Sequence, residues 1–524
     1  MSKIWRASVP GSLALAGLLS LISAPAAQAS LLAAAVRGGV TLGLTLRYRN
    51  EAELDRLLEA QNDPASPLFR HFLTPGQFRS AFAPAAADYE RIVEELRREG
   101  FTIGPTFANR TRIDAWAPRA VVDRFFATEL PALQMLVRAV DRNDAIAGRV
   151  AVARPERFAS KSEGAATPLG PPYFGPYLGY GPAALAAPYD FPIQHAAQSG
   201  GTYDGTGIDV ADIVDGPVSD TDLGSFLAYF GIARTGPPTT TVPVDGGCAG
   251  SCVDGNGAQE DAEYIVGVAP GVAYYDYEMP AVTPSAIADA MTQIVSDDTV
   301  SVVNFSYGFC EAPYRSLAVS MDALAKQGNA LGMAFETPEF GGGYCERGAP
   351  PTPVAPGTSP HFLAIGATRL EMNDGTYLTE GASAMTNGGV SALFALPKYQ
   401  QHIPNVQPGG RNTPDVAIPA DINRSGPASY YAGKWQHPKI FVNNAPVAAL
   451  LAEIEEIAGT RLGNVTDSLY RGFFRYGYST RSATLFHDIQ RGEDAAGVSA
   501  GPGYDAVTGI GSADGYGIAT TIRF

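Results

Sequence analysis

Four short, nearly continuous apolar runs constrain the fold of this chain most: GIDVADIVD, VAYYDYEMP, VSVVNFSYG and HFLAIGATRL. A strand with one wet face alternates apolar and polar residues, whereas a strand covered on both faces reads as a near-continuous apolar run. Stretches with helical spacing, PSAIADAMTQIV and YRSLAVSMDALAKQG, lie between the runs. Strands alternating with helices predict an α/β unit, a doubly wound parallel sheet with helices on both faces.

The chain has 524 residues, more than one core organises, so a second folded unit is expected. It lies upstream, over residues 36–130. VTLGLTLRYR alternates like a strand. EAELDRLLEAQND carries Leu54, Leu57 and Leu58 at helical spacing. DYERIVEELRREG is a second amphipathic helix that stops at Gly100. FTIGPTF and RIDAWAP read as strands and AVVDRFFATEL as a helix, which together predict a small α+β sandwich. Residues 131–176, rich in Ala, Pro and Gly, read as an exposed linker, and 177–524 as the larger unit.

The N-terminus reads as an export signal over residues 1–29. Lys3 and Arg6 precede the apolar run GSLALAGLLSLISA, which is too short to span a membrane, and Ala27-Gln28-Ala29 offers the small-x-small cleavage pattern. A secreted or periplasmic protein is expected, with no membrane span after signal removal. The formal charge of -16 argues against a nucleic-acid partner, which needs a basic face. Export permits disulfides. The four cysteines, Cys248, Cys252, Cys310 and Cys345, allow three pairings. The proximity of Cys248 and Cys252 in a glycine-rich loop favours Cys248–Cys252 with Cys310–Cys345. No CxxC spacing or histidine cluster supports zinc.

The segment DPASPLFRHFLTPGQFRSAFAP closely resembles the activation propeptide of the sedolisin (kumamolisin-like) serine-carboxyl peptidases. GPAALAAPYDFP resembles the start of the mature enzyme, and SVVNFSYG the strand ending in Ser-Trp-Gly, with Tyr307 in place of Trp. HFLAIGATRL, GGVSALFALPKYQ, TPDVAIPAD, FHDI and GPGYDAVTGIGS follow in the family's order. The resemblance covers nearly everything after the signal and implies a subtilisin-like fold preceded by a propeptide domain.

It also implies a serine nucleophile, a glutamate base supported by an aspartate one helical turn away, and a second aspartate that stabilises the oxyanion. Paired buried carboxyls suit such work because burial and proton sharing raise a pKa, so that one accepts while another donates. In GAQEDAEYIVGVAPG the family aspartate falls on Asp261, and Glu263 matches a carboxylate or amide of the pattern. The base position four residues earlier is Gly257, and glycine has no base. Glu260 points about 100° from Asp261 on a helix and reads as a solvated helix residue. The oxyanion position falls on Thr337, flanked by Glu336 and Glu339. The nucleophile position falls on Phe441, and a slip of register offers only Asn443 or Asn444. Ser359 in Gly-Thr-Ser and Ser383 in Gly-Ala-Ser imitate a nucleophile motif but precede the wrong elements. The six histidines form no HExxH.

The family further implies one calcium ion. Asp488 and Asp505 would supply carboxylates, and Ile489, Gly501 and Gly503 carbonyls, a hard-oxygen set of the kind Ca²⁺ takes. The expected function is therefore that of a secreted sedolisin-like protein, catalytically dead or impaired, that binds a peptide or protein through the former substrate cleft. The rivals are an active acid endopeptidase with non-standard residues and a purely structural surface protein.

Overall fold

The computed structural model describes residues 39–142, apart from 129, and residues 170–524, apart from 249–254, 340–344, 346–352, 422–425 and 438–443. The signal segment, Cys252 and Phe441 lie outside the described residues.

The N-terminal unit runs β1 (Gly39–Leu46), α1 (Glu51–Asn62), α2 (Pro75–Ala81), α3 (Ala86–Arg98), β2 (Thr102–Thr106), β3 (Arg112–Pro118), α4 (Arg119–Thr128) and β4 (Val137–Arg142). The strands form an antiparallel sheet ordered β2-β3-β1-β4. Leu42, Leu44, Ile113 and Ala115 pack on Ile92 and Leu96 of α3 and on Val122 and Phe125 of α4. The unit extends past residue 130, because β4 lies in the stretch read as linker. Its sequence VRAVDR buries Val137, Ala139 and Asp141 in alternation, a strand pattern too short to stand out beside Ala- and Pro-rich neighbours.

The larger unit contains β5 (Asp209–Val214), α5 (Asp220–Phe230), β6 (Thr240–Pro243), α6 (Gly255–Val268), β7 (Ala273–Glu278), α7 (Pro284–Asp297), β8 (Val302–Asn304), α8 (Arg315–Ala330), β9 (Ala334–Pro338), β10 (Leu363–Asn373), β11 (Thr376–Ala382), β12 (Val416–Pro419), β13 (Ser429–Tyr431), β14 (Lys434–Gln436), α9 (Ala445–Ala458), α10 (Val465–Tyr476), β15 (Phe486–His487) and β16 (Ser512–Ala513). The central sheet is ordered β11-β10-β9-β8-β5-β7-β6, with β12 also pairing β10. All its pairs are parallel except β10–β11. Val210, Val302 and Ala334 pack toward α6 and α9 on one face. Ala211, Val303 and Phe335 pack toward α7 and α8 on the other. The sequence thus yields the expected two-faced α/β sheet.

Local signals fix the helix ends. The Thr283 hydroxyl accepts the Ala286 N–H and Pro284 opens α7, a cap worth about 1 kcal/mol. β12 is held by a buried ion pair: Arg411 Nη1 donates to Asp415 Oδ1 at 2.7 Å, and the same carboxylate accepts the Ala364 N–H at 2.8 Å.

The N-terminal unit docks on α7 and α8. Tyr48 donates to the Ala323 carbonyl at 2.7 Å and Thr45 to the Ser320 hydroxyl at 2.8 Å. A second anchor is Phe72. Its ring lies over Gly332 and Gly463, which have φ of +94° and +61°; a Cβ on either would fall 2.8 Å from the ring. Gly463 N–H donates to the Gly332 carbonyl at 2.9 Å.

Candidate active site

Four adjacent parallel strands place polar side chains in one row. The register pairs Asp212 of β5 with Asn304 of β8, and Asn304 with Glu336 of β9; on the other side Asp212 faces Asp276 of β7. Strand alternation puts this row on the face that packs against α6 and α9. The four side chains are fully buried. Above the row stand Asp261, from α6, and Asn444, at the start of α9.

Hydrogen bonds join Asp212, Asn304, Ser306 and Asn444. Asn304 Nδ2 donates to Asp212 Oδ1 at 2.7 Å and to Ser306 Oγ at 3.0 Å. Asn444 Nδ2 donates to Asn304 Oδ1 and to Ser306 Oγ, both at 2.8 Å. Tyr274 donates to Asp212 Oδ2 at 2.8 Å. The Ser306 hydroxyl stands near enough to the Asp261 carboxyl to offset part of the effect of its burial. Burial pushes Asp261 up to about 7. Burial, then Asp261, raises Asp212 and Glu336 well above the carboxylate range. Glu336 sits within reach of Asn444, whose Oδ1 receives no donor while both Glu336 oxygens also lack one. A carboxyl buried without a donor favours its neutral form, in keeping with the raised pKa of Glu336.

The sign of these shifts sets a pH dependence. A carboxyl whose folded pKa is raised contributes stability that is complete below its unfolded value and is lost as pH rises through the folded value. For Asp261 and Asp276, each pushed up to about 7 by burial, the loss runs between about pH 4 and 7. The melting temperature is expected to fall steadily across that range. Asp261→Asn flattens the fall, as read by calorimetry at a series of pH values.

The sequence-predicted positions fall as follows. Asp261 is 4% exposed and faces the row. Gly257 lies one turn before it on the same helical face, and a Cβ there would meet nothing within 4 Å, so the position has room for a longer side chain. Thr337 is buried in β9, its hydroxyl 3.5 Å from the Tyr307 carbonyl, and alternation turns it to the opposite face from Glu336. Glu336, which on sequence only flanks the Thr337 position, is the β9 carboxyl that feels Asp261. Glu260 is 2% exposed, which overturns the reading as a solvated residue: it lies on the helix side of Tyr264, whose hydroxyl reaches the Tyr180 and Ala428 carbonyls. Glu263 accepts the Tyr430 N–H at 3.0 Å and so ties the β13–β14 hairpin to α6. Glu339 accepts the Val354 N–H at 2.7 Å.

Ser359 is buried, donating to Asp322 of α8 at 2.8 Å, and Ser383 is buried, accepting the Met385 N–H at 3.1 Å. Neither hydroxyl is offered to the row. Asp212, Asp276 and Asn304 had no assigned part in the sequence reading, and Asn444 entered it only as a slip of the nucleophile register. For Asp212 and Asn304, as for Glu336, the signal was a polar residue ending the apolar triplets Val-Ala-Asp, Val-Val-Asn and Ala-Phe-Glu at the same register.

Cys310 and Cys345 form a disulfide. Cys248 is also disulfide-bonded, and Cys252 is the one cysteine left in the sequence.

The residues that the resemblance assigns to calcium come from two loops. Asp488 follows β15, which pairs with β16. Gly503 N–H donates to Asp488 Oδ1 at 3.1 Å, and Gly501 N–H to Asp505 Oδ2 at 3.0 Å. Gly503 has φ +81°. Val507 and Thr508 N–H groups hold Asp505 Oδ1 at 2.9 and 2.8 Å. Burial raises the Asp505 carboxyl. Among the described residues no three acidic, histidine or cysteine side chains cluster as metal ligands. Two carboxylates with glycine-loop carbonyls are nevertheless a donor set of the hard-oxygen type that fits calcium.

Residues 33–144 match the family model described as "Pro-kumamolisin, activation domain". The chain is 27% identical to sedolisin of Pseudomonas sp. (strain 101) over 92% of its own length and 86% of the relative's. It is 30% identical to kumamolisin of Bacillus sp. (strain MN-32) over 64% and 62% of the two chains. The solved structure of Pseudomonas sedolisin, a serine-carboxyl proteinase complexed with pseudo-iodotyrostatin, superposes with a TM-score of 0.56. It has 26% identity and covers 65% of this chain and 97% of its own. With the propeptide unit, the parallel sheet and the order of motifs all in agreement, the chain belongs to the sedolisin family of peptidases.

Proposed function

We propose that this sedolisin-family protein is exported, does not cleave peptide bonds by the serine-carboxyl route, and acts by binding a peptide or protein in the former substrate cleft. The observation that carries the reading is the state of Ser306, the hydroxyl nearest the family aspartate. Its oxygen accepts from Asn304 at 3.0 Å and from Asn444 at 2.8 Å. A nucleophile needs a free lone pair aimed at a carbonyl carbon, and here both lone pairs are engaged. The base position is Gly257, and Thr337 supplies no acid.

The alternative, an acid endopeptidase with non-standard residues, is favoured by one feature: a hydroxyl beside a carboxyl of pKa about 7 resembles a nucleophile and its base. A digest of a labelled peptide by wild-type protein and by Ser306→Ala separates the two. Cleavage that disappears in the variant establishes the alternative.

Calcium belongs to the same proposal. Two carboxylates drawn together without a cation repel, and an ion bound only to the folded state stabilises it by RT ln(1 + [L]/Kd). Removing divalent cations is expected to lower the melting temperature, by about 2.7 kcal/mol of stability where calcium stood at about 100 times its Kd. Asp505→Asn is expected to lower it and to abolish the response to added calcium. A melting curve unmoved by chelation counts against the site. No helix among the described residues is long and apolar enough to cross a membrane.

A further inference from the structure

The seam between the propeptide and the peptidase unit encloses one guanidinium and four carboxyls. From the propeptide come Arg112 and Asp114 on β3 and Asp141 on β4. From the peptidase unit come Asp289 on α7 and Asp245 in the turn after β6. Arg112 Nη1 lies 3.1 Å from Asp141 and Nε 3.3 Å from Asp114, and Nε also donates to Asp289. Arg112, Asp114, Asp141 and Asp289 are buried, and Asp245 is half-buried. Among the described residues, the hydroxyls of Thr45 on β1, Ser285 on α7 and Ser320 on α8 also face the cluster, and Tyr89 of α3, raised by burial and then by Asp114, stays neutral from mildly acidic to mildly alkaline pH.

One positive charge cannot neutralise four negative ones in a dry seam. Arg112 reaches Asp114, Asp141 and Asp289 at once, and carboxyls gathered this closely around one cation out of water do not all ionise, so the cluster holds protons. Neither Asp114 oxygen has a hydrogen-bond donor, as expected of a carboxyl that holds its own.

We propose that docking of the propeptide takes up protons, so that the seam tightens as pH falls from alkaline to mildly acidic and loosens as pH rises. In the docked state burial raises Asp114 and Asp141, and burial followed by Asp289 pushes Asp245 up to about 8. Raised carboxyls contribute docking stability that is complete below their free values and is lost as pH rises through the docked ones. Each proton taken up changes the affinity about tenfold per pH unit inside that window.

A second ionic group in the seam works the other way. Burial would raise Glu51 of α1, but Arg138 and Lys326 outweigh it and hold it below the usual carboxylate range. Its contribution is lost only as pH falls below the ordinary glutamate value. Asp55 also pairs with Lys326, and burial raises the neighbouring Asp322, which adds to the first trend. Docking is therefore tightest in mild acid, and the device needs no catalysis by the cleft.

The test places a site-specific protease sequence between Arg142 and Gly170, cuts the folded full-length chain there, and measures the affinity of the two halves. Low urea concentrations keep the affinity on scale from about pH 5.5 to 8.5. At least tenfold weaker binding at the alkaline end is expected, with Asp245→Asn binding more tightly there and showing a shallower profile. An affinity that is flat within about twofold, or that weakens toward pH 5.5, overturns the proposal. The wild-type profile decides the matter even where the variant does not fold.

Discussion

Purified wild-type protein, freed of its propeptide and incubated with an unfolded protein substrate at about pH 4, leaves that substrate intact. The expected deficit against an active serine peptidase is about 10⁶-fold, the scale of losing a nucleophile from a set that acts as a unit. Gly257 has no carboxylate, Thr337 faces the wrong side of the sheet, and Ser306 has both lone pairs engaged. A second readout is maturation. Protein made in a host without other proteases keeps its propeptide joined, as intact mass shows. A homogeneous new N-terminus near residues 165–180, made by the isolated protein in acid, would sink the reading. Gly257→Glu has room at its site, but the triple change Gly257→Glu, Thr337→Asp, Phe441→Ser is expected to restore weak activity at most. The β9 carboxyl that feels Asp261 is Glu336, not the residue at 337, and supporting geometry decides whether installed groups work.

Asp415→Ala is expected to destabilise the protein by about 3–5 kcal/mol, the cost of leaving a buried charge without its partner. Arg411 and Asp415 are both fully buried. The carboxylate also holds the Ala364 N–H at the start of β10, so the change loosens the β10–β12 junction. The urea midpoint measures it. A loss below about 1 kcal/mol, the range of an exposed pair, would refute the assignment. The motif TPDVAIPAD is recognisable in the sequence by resemblance, but only the ion pair shows why it carries Asp415.

Much of the sheet was legible because a strand covered on both faces is an apolar run whatever its neighbours. β4 was not, since six alternating residues among alanines and prolines give too little pattern to separate strand from loop. The site was legible in part. Asp261 and Gly257 were placed by the family resemblance, and helical spacing adds only that one helix turns both to the same side. The row Asp276, Asp212, Asn304 and Glu336 depends on the register of four strands far apart in sequence, which no local pattern supplies. Glu260 was misjudged for a related reason: α6 is covered on nearly all sides by α5, α9 and the β13–β14 hairpin, so a face turned away from the cleft is still dry.

The seat of Phe72 has a consequence for the order of assembly. Gly332 closes the turn between α8 and β9, and Gly463 lies in the loop between α9 and α10. Their shared hydrogen bond brings the two sides of the slot together, so the slot exists only once the last third of the chain has closed against the middle. The propeptide, made first, finds this seat last. Occupation of the slot by Phe72 is thus a mark of completion, reached only by a chain whose distant segments have already found one another.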